Sequence, residues 1–170
     1  MMMKRSDFIK QSNTSQSGLT CLLMICRYYG RHIELATMMR TENSLQEISN
    51  NADRLGLSCI VGYLPLAKLS KITLPCLMYW DDKYYVVLHK IKFRTYYVAD
   101  PTKGFIKYSQ TEIKGHCVKS NITNEEKVAA VFIKPTDEFY KQAKEQNQLI
   151  KGNSIWRYIK HFFSWGNRIL

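Results

Sequence analysis

The chain has 170 residues, enough for one domain whose hydrophobic core needs no disulfide or metal to hold it together. Hydrophobic residues make up 45% of the sequence and aromatic residues 12%, which excludes extensive disorder. The net charge of +11 predicts an acidic partner, for which nucleic acid and an anionic membrane surface are the two candidates. No apolar run approaches the ~20 residues of a membrane-spanning helix, and residues 1–10 lack the apolar core of a signal peptide.

The position of the charge separates the two candidate partners. Residues 141–170 contain six Lys and Arg residues and one Glu, so this tail carries +5 of the total. The sequence has no helix-turn-helix, RNA-recognition or zinc-finger signature, and we therefore do not expect a nucleic-acid partner.

The cysteines point to a reducing compartment. They are odd in number, widely spread, and have neither CxxC nor Cys/His metal-ligand spacing. We expect no metal site, and we expect reduced core cysteines in a cytosolic protein, at Cys21, Cys26, Cys59, Cys76 and Cys117.

The first predicted element is an apolar helix that follows a polar loop. Residues 11–17 are Gln, Ser, Asn and Thr, which favour turns and helix caps, and the sequence becomes apolar from Leu19. The helix should begin near Gly18 and end at Gly30. Ser17 then lies where unpaired backbone N–H groups and the helix dipole favour an anion or a nucleophile.

Two more helices are predicted before residue 57. The first is a short apolar helix over Ile33–Met39. The second opens with the capping box formed by Ser44 and Glu47 and ends at Gly56. Its inward-facing stripe is Leu45, Ile48, Ala52 and Leu55.

The remainder of the domain reads as β-strands. Short β-rich runs separated by turn residues lie at 58–63, 75–80, 84–93, 95–100, 105–109 and 127–134. Short connections favour antiparallel pairing. A helical N-terminal half followed by an antiparallel sheet predicts an α+β domain over residues 1–137.

Residues 138–170 are predicted as a basic linker and an amphipathic helix. The stretch 137–152 is polar and lysine-rich, which suits a solvated helix or a linker. In the stretch 153–170, apolar residues share one helical face while basic residues lie largely off it, a pattern typical of a membrane surface or of a helix docked on its own domain. The membrane-facing residues would include Trp156, Ile159, Phe162 and Phe163, with Ile155 beside them.

Three segments, residues 11–30, 79–88 and 97–104, resemble the motifs of the C39 peptidase family. They read QSNTSQSGLTCLLMICRYYG, YWDDKYYVVL and YVADPTKG. The resemblance covers roughly residues 5–135 and implies a papain-like cysteine peptidase fold. C39 domains usually form the cytosolic N-terminal part of ABC transporters that export bacteriocins and other peptides. They cut a leader peptide after a Gly-Gly pair.

The resemblance implies a role for four positions. Gln11 falls on the oxyanion-hole glutamine of the family, and Asp100 on the acid that orients the histidine. Ser17 replaces the nucleophilic cysteine, and Tyr84 replaces the histidine base. A serine needs a base even more than a cysteine does, and a phenol with a pKa near ~10 is a poor base at neutral pH. The sequence therefore predicts that cleavage is lost.

No other residue is expected to restore the chemistry. Alternation along the strand places His89 on the face opposite Tyr84, unless a bulge brings it round. His32, His116 and His161 are interpreted as loop or surface histidines, and Cys21 as a core residue. The aromatic residues near the second motif could pack in the core or line a peptide groove, for which the candidates are Tyr79, Trp80, Tyr84 and Tyr85.

The sequence thus predicts a C39-like domain on the cytoplasmic face of the bacterial cell membrane, belonging to an ABC exporter. It would bind a leader-bearing or unfolded polypeptide without cleaving it, beside the transmembrane and nucleotide-binding parts of the transporter. The alternative is a peptidase that cuts after Gly-Gly, either active as written or inactivated by a Cys-to-Ser change at Ser17. No cofactor is expected in the domain itself, and ATP would belong to the transporter.

Overall fold

The computed structural model describes residues 2–11, 15–35, 38, 43–81, 83–116, 118–119 and 126–148. Residues Trp156, Ile159, Phe162 and Phe163, predicted for the membrane interface, lie outside this range, as does Ile155. Among the described residues, no helix combines the length and the hydrophobicity needed to cross a bilayer.

Helix α1, Ser17–Tyr28, is the central helix of the domain. All but one of its residues are buried, which is the pattern of a core helix covered on every side rather than of a surface helix. The predicted start near Gly18 is confirmed to within one residue. The first turn of α1 therefore lies inside the protein and not on its surface.

Helix α2, Leu45–Arg54, begins at Ser44 as predicted, because the Ser44 side chain accepts a hydrogen bond from the backbone N–H of Glu47 at 3.2 Å. It ends at Gly56, whose φ of +74° is readily adopted by glycine. The predicted inward stripe is wrong at Leu45, which is 38% exposed, while its other three members are buried.

The helix predicted over Ile33–Met39 is represented among the described residues only by a 3-10 conformation at Leu35, whose carbonyl oxygen accepts a hydrogen bond from the backbone N–H of Met38 at 3.1 Å. Ile33 and Glu34 lie in an irregular segment, and most of the remaining residues fall outside the described range. Ile33 is nevertheless buried in the core.

The described strands form a seven-stranded sheet. The observed pairs are all antiparallel, in the order β1-β7-β2-β3-β4-β5, with β6 paired to β7. The strands are β1 Leu57–Pro65, β2 Cys76–Trp80, β3 Tyr84–Lys92, β4 Thr95–Asp100, β5 Gly104–Ser109, β6 Val118–Lys119 and β7 Glu126–Pro135. The predicted α+β class with an antiparallel sheet is confirmed.

The sheet is covered on both faces. Helices α1 and α2 pack on one face against side chains such as Leu77, Tyr85 and Val87. A second core, which includes Trp80 and Tyr84, fills the other face beside α3, Gln110–Lys114, and the 3-10 helix Leu66–Lys71. Because alternate residues of one strand serve different cores, Tyr84 and Tyr85 point to opposite sides of β3.

The chain continues after β7 into a helix, α4, over residues 137–148. A helix was one of the two forms predicted here, but this one is docked on the domain. Phe139 is fully buried in the core beneath α1 and α2. Gly56 makes room for this contact, because a Cβ there would lie 2.6 Å from the backbone nitrogen of Phe139. Arg31 also donates a hydrogen bond to Gln142 at 2.6 Å. The division into residues 1–137 and 138–170 stays a prediction.

Candidate functional site

Ser17 is the first residue of α1 and is fully buried. Its hydroxyl oxygen accepts a hydrogen bond from the backbone N–H of Tyr85 at 2.9 Å. It accepts a second from Nδ2 of Asn43 at 2.7 Å. A hydroxyl oxygen has two acceptor lone pairs, so both of those on Ser17 are directed at donors.

Asn43 holds the first turn of α1 from outside the helix. Its Oδ1 accepts a hydrogen bond from the backbone N–H of Gly18 at 2.7 Å, which satisfies one of the donors that a helix N-terminus leaves unpaired. Gln16, which precedes the helix, makes no capping hydrogen bond with its side chain. A Cβ at Gly18 would lie 2.6 Å from Cδ1 of Ile48 and 2.9 Å from Oδ1 of Asn43, so this close packing requires glycine.

Tyr84 is the first residue of β3, and its hydroxyl donates a hydrogen bond to Oδ2 of Asp100 at 2.9 Å. Both side chains are buried, with exposed fractions of 6% and 0%. Burial raises the pKa of Tyr84 well above its ordinary value, and the hydrogen bond to Asp100 and the charge of that carboxylate raise it further. The phenol therefore stays protonated and acts as a hydrogen-bond donor.

Asp100 is the last residue of β4, and the turn after it engages its other carboxylate oxygen. Oδ1 accepts hydrogen bonds from the backbone N–H of Thr102 at 2.8 Å, from the Thr102 hydroxyl at 2.7 Å and from the backbone N–H of Lys103 at 3.1 Å. Both carboxylate oxygens are thus hydrogen-bonded, and the carboxylate is fixed in orientation.

Gln11 connects the N-terminal loop to two other parts of the region. Its backbone N–H donates to the carbonyl oxygen of Pro101 at 2.8 Å, in the turn after β4. Its side-chain Oε1 accepts a hydrogen bond from the hydroxyl of Thr20 at 3.0 Å, one turn along α1 from Ser17.

Hydrogen bonds link the four predicted positions, although the Tyr84 side chain packs in the core on the face of the sheet away from α1. Tyr84 bonds Asp100 directly, Ser17 bonds the backbone of the residue after Tyr84, and Gln11 bonds the backbone of the residue after Asp100. We refer to Ser17, Asn43, Tyr84 and Asp100 as the site cluster. Asn43 was missed by the sequence analysis, because nothing local marks a residue that acts 26 positions away in the chain.

Cys21 lies one turn below Ser17 and is fully buried. Its thiol donates a hydrogen bond to the carbonyl oxygen of Tyr85 at 3.3 Å. Burial raises the pKa of the Cys21 thiol well above its ordinary value, and the negative charge of Asp100 raises it further. Cys21 is therefore an unreactive core thiol, since the thiolate is the nucleophilic form. The four described cysteines, Cys21, Cys26, Cys59 and Cys76, are all free.

His89 lies on the face of the sheet away from Tyr84, as predicted. The register between β3 and β4 shifts around it, but its ring packs against Phe105 at 5.6 Å, and Phe105 pairs with Ala99 on the α1 face. Burial lowers the pKa of His89 to about 4, and the charge of Lys90 contributes. Its Nδ1 is buried and has no hydrogen-bond partner.

The interpretation of His116 as an ordinary loop or surface histidine is incomplete. Its Nδ1 lies 2.6 Å from Oδ1 of Asp81, and its ring stacks on Trp80 at 4.1 Å. Trp80 pairs with Tyr84 across β2 and β3, so the contact between His116 and Asp81 lies near the site cluster. No local pattern indicates this contact, because its two members are 35 residues apart in the chain.

A pocket of about 270 Å³ opens beside the site cluster. We call it the tyrosine pocket. Tyr79 and Tyr85 stand side by side in its wall, with ring centroids 5.0 Å apart. Asn43 and Tyr85, the two residues that donate to the Ser17 hydroxyl, both line it. The lining includes Asn43, Leu45, Val61, Tyr63, Tyr79 and Tyr85, together with residues 129–131.

The peptide groove stays a prediction, and the structure separates its candidate residues. Tyr79 and Tyr85 line the tyrosine pocket. The inclusion of Trp80 was wrong, because its ring is fully buried on the opposite face of the sheet. Alternation along β2 separates it from Tyr79. Leu45, expected in the core, is exposed because it lines this pocket. The described residues contain no group of three His, Cys, Asp or Glu side chains that could hold a metal ion.

Comparison with solved structures gives a consistent fold. A double glycine motif protease from an AMS/PCAT transporter, crystallised with its leader peptide, superposes with a TM-score of 0.63 at 25% identity, covering 76% of this chain and 91% of that one. The peptidase domain of Streptococcus ComA, a bifunctional ABC transporter, has a TM-score of 0.62 at 15% identity, with 75% and 97% covered. The second likeness supports the fold alone.

Two relatives come from Escherichia coli. The probable microcin-H47 secretion/processing ATP-binding protein MchF is 34% identical over 107 residues, which is 59% of this chain and 15% of MchF. The colicin V secretion/processing ATP-binding protein CvaB is 33% identical over 116 residues, which is 65% of this chain and 17% of CvaB. The matched region therefore spans less than a fifth of either relative. The model of the Peptidase C39 family matches residues 5–126. The chain belongs to the peptidase C39 family.

Proposed function

We propose that this chain is the C39-type domain of an ABC exporter of bacteriocin-like peptides, and that it binds a leader-bearing or unfolded polypeptide without cleaving it. The observation that carries the proposal is the Tyr84 hydroxyl, which donates a hydrogen bond to buried Asp100 at the position where the family has its base. A group that is already a proton donor cannot accept the proton of a nucleophile.

The surroundings of Ser17 also oppose catalysis. Nucleophilic attack requires a lone pair on the reacting oxygen and a base that removes its proton. Both lone pairs of the Ser17 oxygen accept hydrogen bonds, from Tyr85 and from Asn43. The residue is also 0% exposed, so a peptide carbonyl reaches it only if this packing opens.

The tyrosine pocket supports the binding part of the proposal. It is concave, mostly apolar and rimmed by residues that include Val61, 43% exposed, and Tyr63, 65% exposed. Such a surface suits the apolar side chains of a peptide segment. The similar AMS/PCAT protease was crystallised with a leader peptide, and both E. coli relatives are secretion/processing ATP-binding proteins. By analogy we place this domain on the cytoplasmic face of the cell membrane, with ATP bound by another part of the transporter.

Calorimetric titration with double-glycine leader peptides tests the binding. We expect saturable binding that Tyr79→Ala weakens about tenfold, because the substitution removes an aromatic wall of the tyrosine pocket. The matched control is Tyr140→Ala, which removes an exposed tyrosine from α4, outside the pocket, and should leave the affinity unchanged. Absence of binding to every leader and to an unfolded polypeptide would contradict the proposal, as would equal losses in the two variants.

The competing function is Gly-Gly cleavage by the same site. It is favoured by the position of Gln11 and Asp100, which lie in the same region as Ser17. In this form the chain would be a peptidase that lacks only its cysteine. Restoring that one residue separates the two functions: a peptidase of this kind would recover cleavage in Ser17→Cys alone, whereas our proposal requires Tyr84→His as well.

A further inference from the structure

Strands β3 and β4 are joined by a two-residue turn with an unusual composition. Lys92 pairs with Thr95, so the turn consists of Phe93 and Arg94 alone. Phe93 is 89% exposed, and its ring lies at the tip of the hairpin. We call residues 90–97 the basic hairpin.

The backbone angles of Phe93 and Arg94 are ones that asparagine and glycine adopt more easily. Phe93 has a φ of +48° and Arg94 a φ of +59°. Two-residue turns with positive φ at both positions strongly favour Asn-Gly, because other L residues are strained there. Strained conformations of this kind are retained where a side chain serves a function at that place. The side chains at the tip are therefore candidates for contact with a partner.

The charge near the tip is mainly positive. Four basic residues lie in the turn or in the parts of β3 and β5 next to it: Lys90, Lys92, Arg94 and Lys107. The one acidic residue of 83–109 is Asp100, at the far end of β4, which is fully buried and already hydrogen-bonded. Glu112 lies beside the base of the hairpin, because its carboxylate accepts a hydrogen bond from the N–H of Ser109, which pairs with Thr95; the four cations outnumber this acid, so the tip is positive.

Apolar side chains lie among these cations. The ammonium groups of Lys90 and Lys107 lie 5.3 and 5.6 Å from the ring centroid of Tyr97, and that of Lys92 lies 5.1 Å from the ring of Phe93. Phe105, on the neighbouring edge strand, is 42% exposed. Aromatic side chains surrounded by lysines are typical of a membrane-surface site. The aromatic rings enter the interface of the bilayer, and the lysine ammonium groups remain at its headgroups.

We propose that the basic hairpin docks on an anionic phospholipid surface, with Phe93 inserted between the headgroups and the surrounding lysines and Arg94 paired with phosphates. Each Lys or Arg near such a surface contributes about 1 kcal/mol to binding. The convex tip favours a membrane over a nucleic acid, since single-stranded nucleic acids bind along grooves lined by cations and aromatic rings. The hairpin belongs to a different part of the sheet from the tyrosine pocket, so this inference is independent of the proposed function.

Vesicle sedimentation of the full chain tests the proposal. Phosphatidylcholine vesicles with phosphatidylglycerol should bind the protein more tightly than phosphatidylcholine alone. The double variant Lys92→Gln/Arg94→Gln should lower the partition coefficient about 30-fold, which is about 1 kcal/mol for each charge. The matched control is Lys68→Gln/Lys71→Gln, which removes two charges from the exposed side of the 3-10 helix and should change binding less than threefold. Residues 149–170 are present in both variants, so any vesicle binding that they add is the same in both and cancels in the ratio of the two partition coefficients.

A second variant separates insertion from folding. Phe93→Asn/Arg94→Gly places the residues preferred by this turn at its tip, so the melting temperature should rise while vesicle binding falls by about 30-fold or more. Three results would overturn the proposal: equal losses in the hairpin and control variants, equal binding to vesicles with and without phosphatidylglycerol, or a hairpin variant that loses affinity for single-stranded DNA while vesicle binding is unchanged.

Discussion

The site cluster and the tyrosine pocket are neighbours that share Asn43, but they differ in what they leave available. In the site cluster, Ser17 and Asp100 are fully buried and their oxygen atoms accept hydrogen bonds from within the protein. In the pocket, Tyr63 and Val61 remain exposed and the aromatic wall faces an open volume of about 270 Å³. The pocket that we propose for peptide binding is open, whereas the positions that align with the catalytic residues of the family are closed.

Under the proposed function, this difference is how the peptidase scaffold keeps recognition while losing catalysis. The hydrogen bond of Tyr84 to Asp100 uses the acid as a structural acceptor. Asn43 accepts a hydrogen bond from the Gly18 N–H in the first turn of α1 and donates one to Ser17, at the position of the nucleophile. These hydrogen bonds stabilise the fold locally.

The largest expected effect comes from restoring the family residues in the site cluster. Ser17→Cys/Tyr84→His supplies a thiol and a base that Asp100 can orient, so Gly-Gly cleavage should rise at least 1,000-fold above that of the natural chain. Each single variant should remain at background. Mass spectrometry of a leader peptide after incubation measures the rate. Full activity in Ser17→Cys alone would show that Tyr84 is not the obstacle we describe.

The next effect is on stability. Asn43→Ala removes the acceptor of the Gly18 N–H and one donor to Ser17, in a partly buried region, so the free energy of unfolding should fall by about 1–3 kcal/mol. Urea denaturation measures it. Asn50→Ala is the matched control, because Asn50 bonds Gln46 on the exposed side of α2, and it should change stability by less than about 0.5 kcal/mol. Equal losses of stability in the two variants would contradict the stabilising role that we assign to the contacts of Asn43 with Ser17 and Gly18.

A smaller effect is expected from Tyr84→Phe. It removes one hydrogen bond from Asp100, which keeps three others, so stability should fall by about 1 kcal/mol. Leader-peptide affinity should stay within twofold, because Tyr84 does not line the tyrosine pocket. Calorimetry on the same preparation measures both quantities. A tenfold loss of affinity would mean that the cluster and the pocket do not act separately.

The smallest effect concerns pH, and its source is outside both regions. The pKa of His89 is lowered to about 4 by burial, so between pH 4 and its ordinary value near 6.5 the unfolded chain binds more protons than the folded one. The stability that neutral His89 contributes is therefore fully present above pH 6.5 and is lost as the pH falls toward 4. We expect about 1 kcal/mol less stability at pH 6 than at pH 8, and a flatter profile in His89→Leu. An unchanged profile in that variant would assign the pH response to other groups.

The sequence predicted the strands and the start of α1 correctly because these depend on local patterns. Alternating apolar runs mark the strands, and the change from polar to apolar residues near Ser17 marks the helix start. The errors came from contacts that no local pattern carries. Leu45 has the spacing of the apolar face of α2, but it lines the tyrosine pocket. Trp80 is an aromatic residue next to Tyr79, but its side chain packs in the core on the opposite face of the sheet.

Long-range polar partners were also beyond a local interpretation. Asn43 and the Asp81–His116 pair act through residues 25 or more positions away, so only the folded chain brings them together. The strain at Phe93 and Arg94 is likewise visible only in the backbone angles. The docking of Phe139 against Gly56 depends on the close approach of α4, which the polar composition of that segment does not indicate.

The most direct test of the account is to incubate the natural chain with a double-glycine leader peptide that it binds, and to follow the peptide by mass spectrometry. We predict saturable binding and an intact peptide, because no base contacts Ser17 among the described residues and Tyr84 is held as a donor to Asp100. Hydrolysis after the Gly-Gly pair at an enzyme-like rate, abolished by Ser17→Ala, would contradict the account.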